Sequence, residues 1–411
     1  MDKILKKFSD TYDTRHLDKL SKEDQYFIHE IAKEFVDKKG NNTMMNLIIN
    51  HYEQPSKKPV TKYLEGPLYI SLLQDIKSGK QIYIFGENHD GMLAPCNEKD
   101  KPIKILPYLK QLFQNTDVFI DFFFESFSER DVPDWDQFKD DYTSEEVKKH
   151  GYLNILRNYF ERCIRYETRH RKECRLTRVH FNDPRHMKSY ITDMESLHNT
   201  LKEYSTFFNF VQKKEKIKEV CNTIVEKHKD VLALFPLTKN NYIKMYEKIM
   251  NDNPYLHKEL AKVPEDIRQT LINLTLDVDW SEDVAKYIGQ INNAIRNLKA
   301  GKATKTDIGH IATGEVIINT AILDLYNIAR IFKPIVHKRP SKEEEYPQPE
   351  EMSNIVIYAG FKHSINISKI LQRFGFKMTK KKLEMNMKAP KTIGCLDMKS
   401  INQPFFNKDF N

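Results

Sequence analysis

The sequence predicts an α/β protein: a mostly parallel sheet flanked by helices, carrying a large all-helical insertion and an N-terminal helical arm. Three observations carry this expectation. Apolar runs at 81–85, 117–124 and 176–181 alternate with helix-like stretches at 103–113 and 143–171, the pattern of a parallel sheet with right-handed crossovers. The run 117–124 is apolar on both faces except for Asp121, as a strand covered by helices on both sides requires. Between residues 185 and 331 strand signals nearly vanish in favour of Lys/Glu/Leu/Ile patterns, and they resume at 354–359.

Taken in order, residues 1–50 read as two or three amphipathic helices; in 22–37, Phe27, Ile28, Ile31, Phe35 and Val36 share one face. Residues 53–59, with Pro55 and Pro59, read as a linker. The stretch 69–73 fits either a strand or a helix start. The helical patterns of the insertion cover 187–227, 241–250, 265–276, 281–298 and 306–332, with breaks near Pro236, Pro254 and Pro264. Residues 338–350 are charged and rich in proline, an exposed loop. A helix over 364–374 and a short strand over 375–378 follow, and the tail after Pro390 shows no pattern. The expected division is an arm over 1–60, a core over 61–186, the insertion over 187–335, and a second part of the core with its tail over 336–411.

The 411 residues suit one large domain or a domain with insertions. With 40% hydrophobic and 30% charged residues the composition is that of a globular protein in water. No apolar stretch of about 18 residues stands out, so a membrane span is not expected, and the N-terminal residues lack the apolar segment of a secretory signal. Five scattered cysteines with no CxxC pair argue for reduced thiols in the cytoplasm rather than a disulfide framework. The net charge of +8 is modest. It concentrates at 162–178 and around Lys377, Lys380, Lys381 and Lys382, without any helix-turn-helix, zinc-finger or RNP pattern, which argues against a nucleic-acid partner.

Each predicted strand runs into ionisable residues at its carboxyl end, where open α/β sheets bind ligands. Residues 81–85 lead into Gly86-Glu87-Asn88-His89, and 117–124 into Glu125. Residues 176–181 lead into Asp183-Pro184-Arg185-His186, and 354–359 into Gly360-Phe361-Lys362-His363. Glycine lets the chain turn sharply off a strand. Two strand-terminal Gly-x-x-His turns are more specific than either alone, since imidazole serves as a base or a metal ligand. Asp121 shares a strand face with Glu125 and, lying deeper, needs a partner. The helical pattern holding Asp324, Tyr326 and Arg330 reads as a packed helix, with Asp324 or Arg330 as candidates to support the site.

The two Gly-x-x-His turns, the glutamate after an apolar strand and the Asp-x-Arg turn resemble the Tiki/TraB and erythromycin-esterase/ChaN-like superfamily over roughly 80–185 and 350–378. The segment 323–330, together with 358–363, also resembles proteins of large DNA viruses. The resemblance implies hydrolysis of a peptide or ester bond in a small-molecule or peptide substrate. It implies either a divalent metal ion (Mn, Co or Zn) held by His89, Glu125 and His363, or, without metal, a water activated by His89 as the base, oriented by Glu87 or Glu125. In that scheme Glu87 is a general base or further ligand, and Arg185, with Arg178 as second match, stabilises the oxyanion. Members that bind haem or lack enzymatic activity make the competing expectation a non-catalytic viral structural or host-interacting protein, placed in the host cytoplasm or the virion.

Overall fold

In the computed structural model the described residues are 59–88, 96–97, 99, 101–125, 144–164, 172–181, 193–210, 213–335, 348–383 and 394–406. The predicted arm and linker up to residue 58, His89, the Asp183–His186 cluster and the proline-rich loop up to residue 347 lie outside them. Residues 59–411 form one compact unit.

The strands are β1 (Tyr63–Glu65), β2 (Tyr69–Gln74), β3 (Gln81–Glu87), β4 (Ile103–Lys104), β5 (Ile120–Phe124), β6 (Thr177–Phe181), β7 (Asn354–Gly360), β8 (Lys377–Leu383) and β9 (Cys395–Asp397). The helices of the first half are α1 (Ile105–Gln114), α2 (Ser144–Phe160) and the short α3 (Lys172–Arg175). The helical segment comprises α4 (Asp193–Phe210), α5 (Lys214–Lys227), α6 (Lys229–Leu232), α7 (Lys239–Asp252), α8 (Pro254–Leu260), α9 (Glu265–Asp279), α10 (Ala285–Lys299) and α11 (Lys305–Phe332). Helix α12 (Phe361–Phe374) follows β7.

The main sheet has six strands in the order β6-β5-β7-β3-β2-β8. Strands β6, β5, β7 and β3 run parallel, and β2 lies antiparallel to both of its neighbours. A small sheet, β4-β1-β9, stands beside it. The expected α/β fold is the observed one, and the undecided stretch 69–73 is a strand. The chain visits β3, passes to β5 and β6, and returns through the helical segment to insert β7 between β3 and β5. The two Gly-x-x-His strands are therefore parallel neighbours, with Gly86 beside Ala359 and Glu87 beside Gly360.

Alternation along the strands divides the core into two layers. Ile82, Ile84, Phe123, Ile355 and Ile357 pack with the helical segment and α12. Tyr83, Phe85, Phe122, Phe124, Val356 and Tyr358 pack with α1, α2 and the C-terminal Phe405 and Phe406. The helical segment thus shares the core of the sheet it interrupts. Helix α11 opens with a capping box between Thr304 and Asp307 and runs 28 residues. Contrary to the sequence expectation, it is long and apolar enough to cross a membrane by length and composition alone. Most of its apolar side chains from Ile308 to Ile331 are instead buried in the core, with Val316 exposed.

The expectation for cysteine is corrected. Cys96 pairs with Cys395, and Cys163 with Cys174, at Cα separations of 4.9 and 5.0 Å; Cys221 remains a buried thiol. Spacing could not reveal a bridge between residues 299 apart. Cysteine usage consequently gives no support to a reduced, cytoplasmic setting.

Candidate active site

The carboxyl ends of β5 and β7 lie side by side, with Phe124 opposite Tyr358. Glu125, the residue after β5, is held there by two bonds: its N–H donates to the Tyr358 carbonyl at 3.1 Å, and its Oε2 accepts from the Gly360 N–H at 2.9 Å. Gly360 precedes the first turn of α12, where backbone N–H groups lack partners within the helix and favour an anion. His363 sits in that same turn. Ser364 fixes the turn by donating to the Phe85 carbonyl at 2.8 Å, and a Cβ at Gly86 would stand 3.0 Å from Ser364, so glycine allows the close approach.

His363 is buried and lies between two carboxylates. Its Nδ1 is 2.7 Å from Asp324 Oδ1, on α11, and its Nε2 is 3.9 Å from Glu125 Oε1. Asp324 is buried at 1% exposure. Burial pushes its carboxyl above the usual range, against the charge and hydrogen bond of His363 and a further bond from Asn366. An Nδ1–H directed at Asp324 leaves the Nε2 lone pair facing Glu125, the arrangement of a general base held in one tautomer. Glu125 and His363 are two of the predicted metal ligands. Their spacing suits a shared third group, and a histidine anchored through its second nitrogen on a buried carboxylate is the usual outer shell of a metal-binding imidazole. The donor pair therefore fits an ion. Among the described residues no group of three or more His, Cys, Asp or Glu side chains is placed to hold one; His89, the third predicted ligand, and Arg185 lie outside those residues.

Glu87 is not part of this group. It shares a strand face with Tyr83 and Phe85, on the opposite side of the sheet from Gly86 and α12. There its Oε2 accepts from the Tyr358 hydroxyl at 2.6 Å and its Oε1 from the Leu153 N–H at 3.2 Å. Leu153 follows Gly151, whose backbone (φ 73°, ψ 159°) breaks α2, so Glu87 serves a new helical start. Burial and then Glu87 itself raise the Tyr358 phenol well above its ordinary range, keeping it protonated as a donor. The expected role of Glu87 as base or ligand beside His363 is corrected accordingly.

Arg178 is likewise committed elsewhere. Its Nε donates to Asp121 Oδ1 at 2.6 Å and its Nη1 to the Pro349 carbonyl at 3.0 Å. Asp121 Oδ1 also meets His180 Nε2 at 2.7 Å, and His180 Nδ1 meets Arg330 of α11 at 3.2 Å. Strand alternation places Arg178, His180, Asp121 and Glu125 on one face, so the pairing Asp121 needs is supplied by the adjacent strand at Asp121↔Arg178. His180 stacks on Phe123 at 4.2 Å. This network fastens α11, and with it Asp324, to the sheet.

The network makes stability depend on pH. Burial lowers the His180 pKa to about 4, against the bond and charge of Asp121. An unfolded histidine takes up its proton near 6.5. Between these values protons bind the unfolded chain preferentially, so stability falls as pH drops from about 6.5 towards 4, by about 3 kcal/mol in full. Asp121, whose bonds from His180 and Arg178 outweigh burial and hold it below the usual carboxylate range, adds its loss only at more acidic pH. Urea unfolding at pH 7 and pH 4.5 is expected to show a slope that His180→Gln flattens by about 2 kcal/mol. Equal slopes in both proteins would mean that His180 is protonated in the fold.

Asp324, read from the sequence only as a candidate to support the site, is the residue that meets His363 Nδ1; a lone carboxylate in the apolar run Ile322-Leu323-Asp324-Leu325 was its signal. Comparison with known proteins gives no relative: no family model, curated protein or solved structure matches the chain.

Proposed function

We propose that this chain is a hydrolase of ester or peptide bonds in which His363 is the general base. The observation that supports this reading is the line Asp324–His363–Glu125 at the carboxyl ends of β5 and β7. A water on the Nε2 side of His363 gives up its proton to the imidazole as its oxygen attacks the carbonyl carbon. The positive charge that forms on His363 is stabilised by Asp324 on one side and Glu125 on the other. The proton then passes to the leaving alkoxide or amine as the carbon–heteroatom bond breaks. Glu125, fixed by Gly360, orients the attacking water. A divalent ion, where bound, would be held by Glu125 and His363 with His89, and would then supply a more acidic water in place of the His363 base. Arg185 retains its proposed role at the oxyanion on sequence grounds.

The test is a panel of p-nitrophenyl esters and fluorogenic peptides, assayed after chelation and again with Mn²⁺, Co²⁺ or Zn²⁺, beside elemental analysis of the purified protein. His363→Asn is expected to lower turnover about 10²–10⁴-fold. Activity untouched by that substitution would overturn the assignment of His363. A panel with no turnover under any condition would favour the non-catalytic reading, a viral structural or host-interacting scaffold.

A further inference from the structure

The C-terminal segment 394–406 takes no part in the proposed hydrolysis, and a disulfide fastens it to the core. Strand β9 is three residues long, and residues 398–406 after it are irregular. Even so, Leu396, Met398, Phe405 and Phe406 are buried. Phe405 stacks on Tyr83 of β3 with ring centres 3.9 Å apart and lies 5.6 Å from Tyr108, and Phe406 meets Tyr83 edge-on at 5.1 Å. The Met398 N–H donates to the Lys62 carbonyl at 2.9 Å. Gln403 joins Thr61 through both ends of its amide, accepting from the N–H at 3.1 Å and donating to the carbonyl at 2.8 Å. The segment thus covers the aromatic side of β3, held by residues from the first part of the core.

Docking such a segment closes a loop through most of the core, and the entropy of closure grows with the length of the loop. The Cys96–Cys395 bridge joins residues 299 apart, so it closes that loop covalently and removes the cost from docking. The other bridge, Cys163–Cys174, spans 11 residues and constrains only its own neighbourhood. The two bridges also differ in access. Cys163 and Cys174 are both 6% exposed, which shields both sulfurs of the short bridge. Cys96 is 4% exposed but Cys395 is only half-buried, so a thiol in solution reaches the long bridge at the Cys395 side. The fifth cysteine, Cys221, is fully buried, and burial pushes its thiol up, which leaves little thiolate to enter exchange.

We infer that Cys96–Cys395 is a redox latch: segment 394–406 keeps its place over β3 only while the bridge is formed, so the chain reaches its final form by reaction with a disulfide-carrying oxidant, a protein disulfide or glutathione disulfide. One cysteine thiolate attacks a sulfur of the oxidant and displaces a thiolate from it. The second cysteine thiolate then attacks the first cysteine's sulfur in the mixed disulfide, forms the bridge and displaces the other thiolate. Two electrons and two protons leave the cysteine pair, and the oxidant's disulfide becomes two thiols. A dithiol runs the same exchange backwards, entering at Cys395, and bares Tyr83 and Tyr108. The latch shares no residue with the Asp324–His363–Glu125 group and stands apart from the hydrolase reading.

The test uses the full chain folded with glutathione disulfide. Alkylation in denaturant followed by mass spectrometry is expected to find one free thiol, Cys221. Stepwise addition of dithiothreitol should then free Cys96 and Cys395 before Cys163 and Cys174. In that half-reduced form, hydrogen exchange in peptides covering 59–68 and 394–406 should quicken at least about tenfold, while peptides covering β5 and β7 keep their rates. Cys395→Ser should show the same fast exchange without reductant. Should that variant fail to fold, the half-reduced protein still decides, because it folded before its bridge was opened. Alkylation of Cys96 or Cys395 in the oxidised chain would overturn the latch, as would earlier opening of Cys163–Cys174 or unchanged exchange at 394–406 once the long bridge is open.

Discussion

Asp121→Leu is expected to destabilise the protein by about 3–5 kcal/mol. The carboxylate is 1% exposed on the interior of the sheet, and its Oδ1 receives both Arg178 and His180. Burial alone would push Asp121 towards the neutral form; the two donors outweigh that and hold it charged. Leucine removes the acceptor and leaves the Arg178 guanidinium, 11% exposed, without its counter-charge. The penalty comes from that stranded charge rather than from the lost attraction, which sets the sign of a second substitution. Arg178→Met added to Asp121→Leu should recover part of the loss, because two well-packed apolar side chains replace a buried pair at little cost. Urea unfolding of the two single variants and the double variant closes the cycle. A loss below about 1 kcal/mol for Asp121→Leu would mean that water screens the pair as it does at a surface.

The same network shows what the sequence could and could not disclose. Asp121 inside an apolar run announced both a strand and the need for a partner, but the partner's identity depended on which strand lay alongside. Strands β3, β5, β6 and β7 were legible because each is a short, mostly apolar run followed in the sequence by ionisable residues. Strand β2, Tyr-Ile-Ser-Leu-Leu-Gln, was ambiguous because both of its faces are buried, so it lacks the alternation that separates strand from helix. The three-residue strands β1 and β9 are too short to show a period, and they gain their bonds from each other across the chain. Strand β8 extends further than expected, from Lys377 to Leu383, because lysines that read as solvated surface suit the edge of a sheet.

The candidate site was legible in type and incomplete in membership. Glu125 and His363 come together because β5 and β7 are neighbours, a consequence of topology that both motifs only suggested. Glu87 falls away because side-chain direction has a period of two: it sits with Phe85, while α12 packs over Gly86 on the other face. Nothing in the residues of β3 says which face α12 covers. Asp324 was read only as a supporting candidate, because it lies in a long apolar helix where burial of its neighbours argued for packing.

That buried carboxylate supports the largest expected effect on activity. Asp324→Asn should lower kcat by about 10²–10⁴-fold, with KM little changed and the fold intact. Asparagine keeps the shape and the bond to His363, but its amide can present N–H to Nδ1. The imidazole would then carry its proton on Nε2, facing Glu125, and could no longer accept one from water. Stability should hold or rise, since burial makes the charged form of Asp324 costly and the amide removes that cost. Full activity in Asp324→Asn would show that the tautomer of His363 is set elsewhere. A loss of activity that merely follows a loss of folded protein would make Asp324 a structural residue and remove the dyad from the proposed mechanism. Measuring kcat, KM and the unfolding midpoint on the same preparation separates these outcomes, because a residue that acts by holding the tautomer of its neighbour changes the first and spares the other two.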